Sequence, residues 1–270
     1  MTVEHGGKTV FGANVGILML DTRFPRIWGD VANANTWPFP VQYRIVRGAT
    51  PDLVVRHRSE GLLDAFIAAG HDLVAHGVDA LTTNCGFLAL LQNEIRDAMP
   101  VPVVTSSIMQ VPMVNTMLPA GKRAGIITIS GEDLTDDHLR GALAPLDTPV
   151  IGTETGQEFA EKIIDDHDTI DFSLCMDDLV SAAHRLTDAH PDVGAIVLEC
   201  TNMMPYAAEI RKITGLPVYS LYTLVTWLHA GLIPRHFPHR LDDPVHRTRT
   251  PLPADHPIHT GDTPCHRTPC

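Results

Sequence analysis

Apolar residues fall along this chain in short continuous runs, separated by stretches in which they recur at helical spacing. VGILML (15–20), VDALTTN (78–84), PVVT (102–105), AGIITIS (124–130), GAIVLEC (194–200) and PVYS (217–220) read as buried strands. Between them, Leu62, Leu63, Phe66 and Ile67 share one helical face, as do Leu88, Leu91 and Ile95. Phe172, Met176, Leu179, Ala183 and Leu186 form a longer stripe, and a further helix is predicted near 205–214. Thr155 and Glu158 have the spacing of a capping box for a helix starting at Gln157. Strand and helix in alternation predict an α/β fold of parallel sheets covered by helices.

The pattern repeats. Residues 78–105 lie over 193–220 without a gap, at a constant offset of 115. VDALTTNCGFLALLQNEIRDAMPVPVVT then matches VGAIVLECTNMMPYAAEIRKITGLPVYS, with Cys85 over Cys200 and Glu94-Ile95-Arg96 over Glu209-Ile210-Arg211. A second echo sets VGILML (15–20) against AGIITI (124–129). Internal similarity of this kind predicts two like α/β units, each built as strand, cysteine, helix and strand. Facing one another, they would bring Cys85 and Cys200 to a shared cleft. From about residue 234 the pattern stops, and PHRLDDPVHRTRTPLPADHPIHTGDTPCHRTPC reads as a disordered Pro/His-rich tail, 234–270.

Composition narrows the class. With 270 residues and 44% hydrophobic positions, the chain can bury one large core or two smaller ones. A formal net charge of -12 without basic clusters argues against nucleic acid and against an anionic membrane surface. No apolar run approaches the roughly 20 residues of a spanning helix, and the N-terminus shows no signal-peptide pattern. Five cysteines without framework spacing argue against a disulfide scaffold, so the chain reads as cytoplasmic with reduced thiols.

Cys85 and Cys200 each stand where a strand gives way to a helical segment, the place where parallel sheets gather functional groups. An ordinary thiol is only about 3% ionised at pH 7. N–H groups at the following turn are expected to favour a thiolate, with Asn84, Thr201 or Asn202 adding hydrogen bonds. A thiolate and a thiol on opposite faces of a bound carbon acid form a two-base pair that removes a proton from one side and returns it from the other.

TTNCG and LECTN, with the half-repeat around them, resemble the paired cysteine motifs of the aspartate/glutamate/hydantoin racemase superfamily, over nearly the whole chain to about residue 233. The resemblance implies two pseudo-symmetric, Rossmann-like parallel-sheet domains around a central cleft, 10–118 with 218–233 and 119–217. It implies an isomerase that racemises or epimerises a small carboxylate, an amino acid or a hydantoin-type derivative, without pyridoxal phosphate or another cofactor. Cys85 and Cys200 would be its acid/base pair. Asn84, Gly86, Thr201 and Asn202 would hold the substrate carboxylate, and Asp21 and Thr22 resemble the Asp-Ser pair after the first strand of glutamate racemases. Two departures stand against glutamate itself: the first motif is NCG rather than Cys-Asn-Thr, and Asn202 stands where glutamate racemases place His. Arylmalonate decarboxylases of related fold keep only the second cysteine, whereas maleate isomerases keep both. A maleate-type cis–trans isomerase is therefore one alternative, and a non-catalytic binder of small acids is another.

The remaining chemistry-bearing residues read more plainly. Cys175 lies beside an apolar helical stripe and packs as core; Cys265 and Cys270 lie in the tail. Arg23, Arg26, Arg44 and Arg47 offer a carboxylate clamp or are surface residues. No HExxH or other metal spacing is present, the glycine clusters precede a strand rather than follow one, and no lysine is placed for a Schiff base. The oligomeric state is left open, a homo-oligomer included.

Overall fold

The computed structural model describes Val3 and residues 5–237. Numbered in chain order, its first half holds β1 (Val15–Leu20), β2 (Val41–Val46), α1 (Pro51–Val55) and α2 (Leu63–Ala75). It continues with β3 (Ala80–Thr83), α3 (Gln92–Ala98), β4 (Val103–Val104) and α4 (Val111–Met117). The second half opens with β5 (Arg123–Thr128), α5 (Asp136–Gly141), β6 (Val150–Gly152) and α6 (Phe159–Ile164). Then come α7 (Phe172–Ala189), β7 (Val193–Leu198), α8 (Ala207–Thr214), β8 (Val218–Tyr219) and α9 (Leu221–Leu232).

Two four-stranded sheets result, in the orders β2-β1-β3-β4 and β6-β5-β7-β8, with every pairing parallel. The α/β class with two parallel sheets is as the sequence predicts. The repeat read in the sequence is thus a repeat of topology: each sheet places its first strand between its second and third. β1 is buried along all six residues, which is why VGILML carries no alternation. Gly16 in β1 has its counterpart in Gly125 of β5, at the offset of the second echo. A Cβ at Gly16 would come within 2.7 Å of Leu81 Cδ2 and 3.0 Å of Leu73 Cδ1; one at Gly125 would meet Leu186 and Val193 at 3.0 Å. Each first strand is therefore bare at the point where a long helix, α2 or α7, leans on it.

Some local expectations are corrected. Thr155 and Glu158 form no capping box: α6 begins at Phe159, and Glu158 makes no side-chain cap bond. Asp178 of α7 takes over the capping, its carboxylate accepting from Gln157, Glu158 and Phe159 N–H at 2.8, 2.8 and 2.9 Å. The segments after the two cysteines, Gly86–Leu91 and Thr201–Tyr206, are 3-10 turns that run on into α3 and α8. β8 pairs with β7, while α9 sets Leu221, Leu224 and Val225 against Val15, Ile17 and Met19 of β1. A second, larger cluster of buried apolar residues runs from Leu18, Phe66 and Leu81 of the first half to Ile126, Leu179 and Val197 of the second. Each such side chain contributes about 1.5–3 kcal/mol on burial. The tail reading falls from residue 238 on outside the described residues, as do Cys265 and Cys270.

Candidate active site

Cys85 follows β3 and Cys200 follows β7, the third strand of each sheet. First and third strands are neighbours from which the chain winds in opposite directions, and a crevice opens beyond their carboxyl ends. The two crevices meet. Thr201 Oγ1 donates to the Asn84 carbonyl at 2.6 Å, and Ser107 Oγ donates to the Leu198 carbonyl at 2.6 Å. Between the two motifs lies a narrow, partly open cavity of about 20 Å³ lined by both Cys85 and Cys200. Asn84, Asn202 and Thr22 also line it, with apolar walls from Leu20, Phe24, Val55, Ile129 and Ile163.

The segment after β1 forms one of its walls, with Thr22, Phe24 and Arg26. Arg26, the one cationic residue of the lining, donates to Asp30 Oδ1 at 2.8 Å and to Thr22 Oγ1 at 2.9 Å, and lies over the Phe24 ring at 4.4 Å. Asp30 Oδ2 accepts from Asn202 Nδ2 at 2.6 Å, and Asn202 Oδ1 faces the Cys200 thiol at 3.4 Å. From the second half, Asp166 accepts from the N–H groups of Arg23 and Phe24 in this segment at 2.6 and 3.2 Å.

The predicted residues divide in two. Cys85, Cys200, Asn84, Asn202 and Thr22 come together at the cavity. Gly86 and Thr201 stand outside its lining: Thr201 ties the halves through the Asn84 carbonyl, and Gly86 lies against Glu199. Asp21 lies outside it too, paired with Arg47 at 3.2 Å. The Asn84 side chain is committed to the fold, accepting from Leu20 N–H at 2.7 Å.

Glu199 is the residue that sequence reasoning missed. It lines the cavity and is 1% exposed. Its Oε2 accepts from Thr128 Oγ1 at 2.8 Å and Ile129 N–H at 3.3 Å. Oε1 has no formed hydrogen bond. It is turned towards the N–H groups of Gly86 and Phe87, and a Cβ on Gly86 would overlap it. The signal was in the repeat: at the offset of 115, Glu199 stands over Asn84. Burial pushes the Glu199 carboxyl up to about 7, against the pull of the Thr128, Ile129, Gly86 and Phe87 donors.

The thiols also depart from expectation. Burial, and then the Glu199 carboxylate, raise Cys85 well above the ordinary thiol range; the Phe87 N–H and Arg26 only partly offset this. Cys200 is raised for the same two reasons, with Cys85 adding to them. The turn N–H groups expected to favour a thiolate are outweighed by desolvation. Cys175 is buried in the core as predicted, its thiol pushed up to about 12. Among the described residues no group of three or more His, Cys, Asp or Glu is placed to hold a metal, and no helix is long and apolar enough to cross a membrane.

The sequence profile of the family described as Asp/Glu/Hydantoin racemase matches residues 75–228, which include both cysteine motifs. The chain belongs to this family. Among curated relatives of this Asp/Glu/hydantoin racemase family member is a dimethylsulfoniopropionate lyase of Durusdinium sp. clade D. It is 24% identical over 237 residues, covering 82% of this chain and 75% of the relative. Dimethylsulfoniopropionate lyase 6 of Emiliania huxleyi (strain CCMP1516) is 28% identical over 231 residues, covering 82% of this chain but only 60% of its own. Among solved structures, allantoin racemase from Klebsiella pneumoniae superposes with a TM-score of 0.57 at 16% identity, over 82% of this chain and 87% of that one. At that identity the likeness is one of fold.

Proposed function

We propose that this chain is an enzyme that moves the proton α to a small carboxylate, with Cys85 and Cys200 as the pair that removes and returns it. The observation that carries the reading is the meeting of two thiols, from equivalent strand ends of two like halves, in one narrow cavity. A thiol on each side of a planar carbanion suits racemisation or epimerisation without an organic cofactor. In this reading Arg26 holds the substrate carboxylate, as the one cation of the lining, and the apolar walls exclude water from the carbanion.

A second reading shares the first step. If the substrate carries a leaving group β to the carboxylate, the carbanion electrons form a double bond and expel it. Dimethylsulfoniopropionate would then yield dimethyl sulfide and acrylate, with the α-proton left on the thiol. Two observations favour this branch. The relatives above are named lyases of that compound, and the apolar walls suit two methyl groups on sulfur.

One experiment separates the branches: proton NMR in D₂O with amino-acid enantiomers, 5-substituted hydantoins and dimethylsulfoniopropionate. Racemisation exchanges the α-proton and builds the mirror form, whereas elimination produces acrylate signals. Cys85→Ser and Cys200→Ser are each expected to abolish inversion while leaving exchange from one enantiomer. In the elimination branch only the variant of the basic thiol is expected to lose turnover. Full racemisation by either variant would overturn the two-base reading.

A further inference from the structure

The slot ahead of each cysteine has the same structural task in both halves. In the first, Asn84 ties the end of β3 to the end of β1 by accepting from Leu20 N–H. In the second, Glu199 ties the end of β7 to the end of β5 by accepting from Ile129 N–H. Leu20 and Ile129 are themselves counterparts in the second echo of the repeat. A neutral amide therefore suffices for the architecture. Glu199 adds a negative charge and a second oxygen without a formed bond, in a place where both cost stability. Gly86, beside Cys85, is bare where that oxygen lies.

The groups around Glu199 leave few places for charge. Cys85 and Cys200 are the titratable side chains that share the cavity with it, and Arg26 is already paired with Asp30. The end of β5 contributes Thr128 and Ile129, and the turn after β4 contributes Ser107, all uncharged. His138, edge-on to Phe87, is buried and held neutral, its ring pushed down to about 4 by burial. We infer that Glu199 is a positioning residue for charge: the thiol pocket holds one negative charge, Glu199 carries it at rest, and a thiolate forms when Glu199 takes the proton. The step balances as a proton transfer, thiol plus carboxylate giving thiolate plus carboxylic acid. This inference rests on the reading of Cys85 and Cys200 as the reactive pair, and it assigns that pair its proton reservoir.

A consequence follows that needs no substrate. Below the titration of Glu199, the thiolate fraction rises tenfold per pH unit. Above it, thiolate and carboxylate compete for one charge, both forms hold the same number of protons, and the thiolate fraction levels off. The test is the rate of iodoacetamide alkylation at Cys85, resolved by mass spectrometry, from pH 5.5 to 9.5. Wild type is expected to break to a plateau near pH 7. Glu199→Gln removes the competitor, so its rate should keep rising about tenfold per pH unit and exceed wild type by about tenfold or more at pH 9. Coincident profiles, or a slower Glu199→Gln, would overturn the inference. Should Glu199→Gln fail to fold, Thr128→Val removes a donor to the carboxylate and is expected to move the wild-type break to higher pH. An unmoved break would equally overturn it. Alkylation is read without turnover, so a wrong substrate assignment leaves this result standing.

Discussion

At the scale of single residues, the site is dominated by what burial does to charge. The folded chain holds the Glu199 proton up to about pH 7, whereas an ordinary glutamate releases it near 4.5, so stability is lost as pH rises through that window. A shift of this size corresponds to about 3 kcal/mol. Glu199→Gln is free of this loss. Urea melts at pH 4.5, 6 and 8 should therefore show the variant gaining on wild type by about 3 kcal/mol across the series. His138 bends the curve the other way. Its ring stays neutral down to about pH 4 in the fold, against 6.5 in an ordinary histidine. Stability present above pH 6.5 is thus lost as pH falls towards 4, again by about 3 kcal/mol. Glu199→Gln should flatten the alkaline arm of the wild-type profile and leave the acid arm in place. Equal pH slopes in both proteins would contradict the assignment of the alkaline arm to Glu199.

At the scale of elements, the fold was legible wherever burial was continuous. VGILML, AGIITIS and GAIVLEC are central strands covered on both sides, so hydrophobicity alone marks them. β2 was not legible, because VQYRIV is an edge strand with Arg44 and Ile45 exposed. β6 is likewise an edge strand, half-buried at Val150 and Ile151, and it lies outside the gapless repeat that marks the even shorter β4 and β8. Thr155 and Glu158 misled because a cap is chosen by whichever acceptor reaches the N–H groups first, and Asp178 reaches them from another helix. The bare positions on β1 and β5 were visible as glycines, but only the fold shows what leans on them. Gly16→Ala is expected to cost about 1–3 kcal/mol, because Leu81, Leu73 and Val78 already fill the space around a Cβ. Chemical denaturation measures it directly, and an unchanged midpoint would mean that those leucines repack freely.

For the whole molecule, the narrowness of the cavity sets the problem of entry. About 20 Å³ admits a single water, so a carboxylate substrate needs more room than this, and the segment that contributes Thr22, Phe24 and Arg26 to the walls is the part expected to move. Asp166 is the clasp, accepting two backbone N–H groups from that segment. Its own φ of +54° is one that glycine adopts freely, so Asp166→Gly removes the clasp without straining the turn. With its bonds to the Arg23 and Phe24 N–H groups and to Arg23 Nε lost, alkylation of Cys85 at fixed pH should rise roughly tenfold while its dependence on pH keeps the wild-type shape. An unchanged rate would place the point of entry elsewhere. The sequence announced both thiols and their pairing, because the repeat preserves them in register. It did not announce the clasp, since Asp166 reaches Arg23 from 143 residues away and belongs to no motif.

The slots ahead of the two cysteines carry this asymmetry furthest. Two like halves would offer a reactant equivalent thiols, and in the two-thiol reaction proposed above only a difference between the halves makes one of them act first. At the ends of β3 and β7 that difference in charge is one carboxylate. Exchanging the two side chains, Asn84→Glu with Glu199→Asn, would carry the charge to the opposite half, where Thr201 stands in the place of Gly86. In the proposed reaction the exchange should alter which thiol takes the first proton, and with it the enantiomer that reacts first.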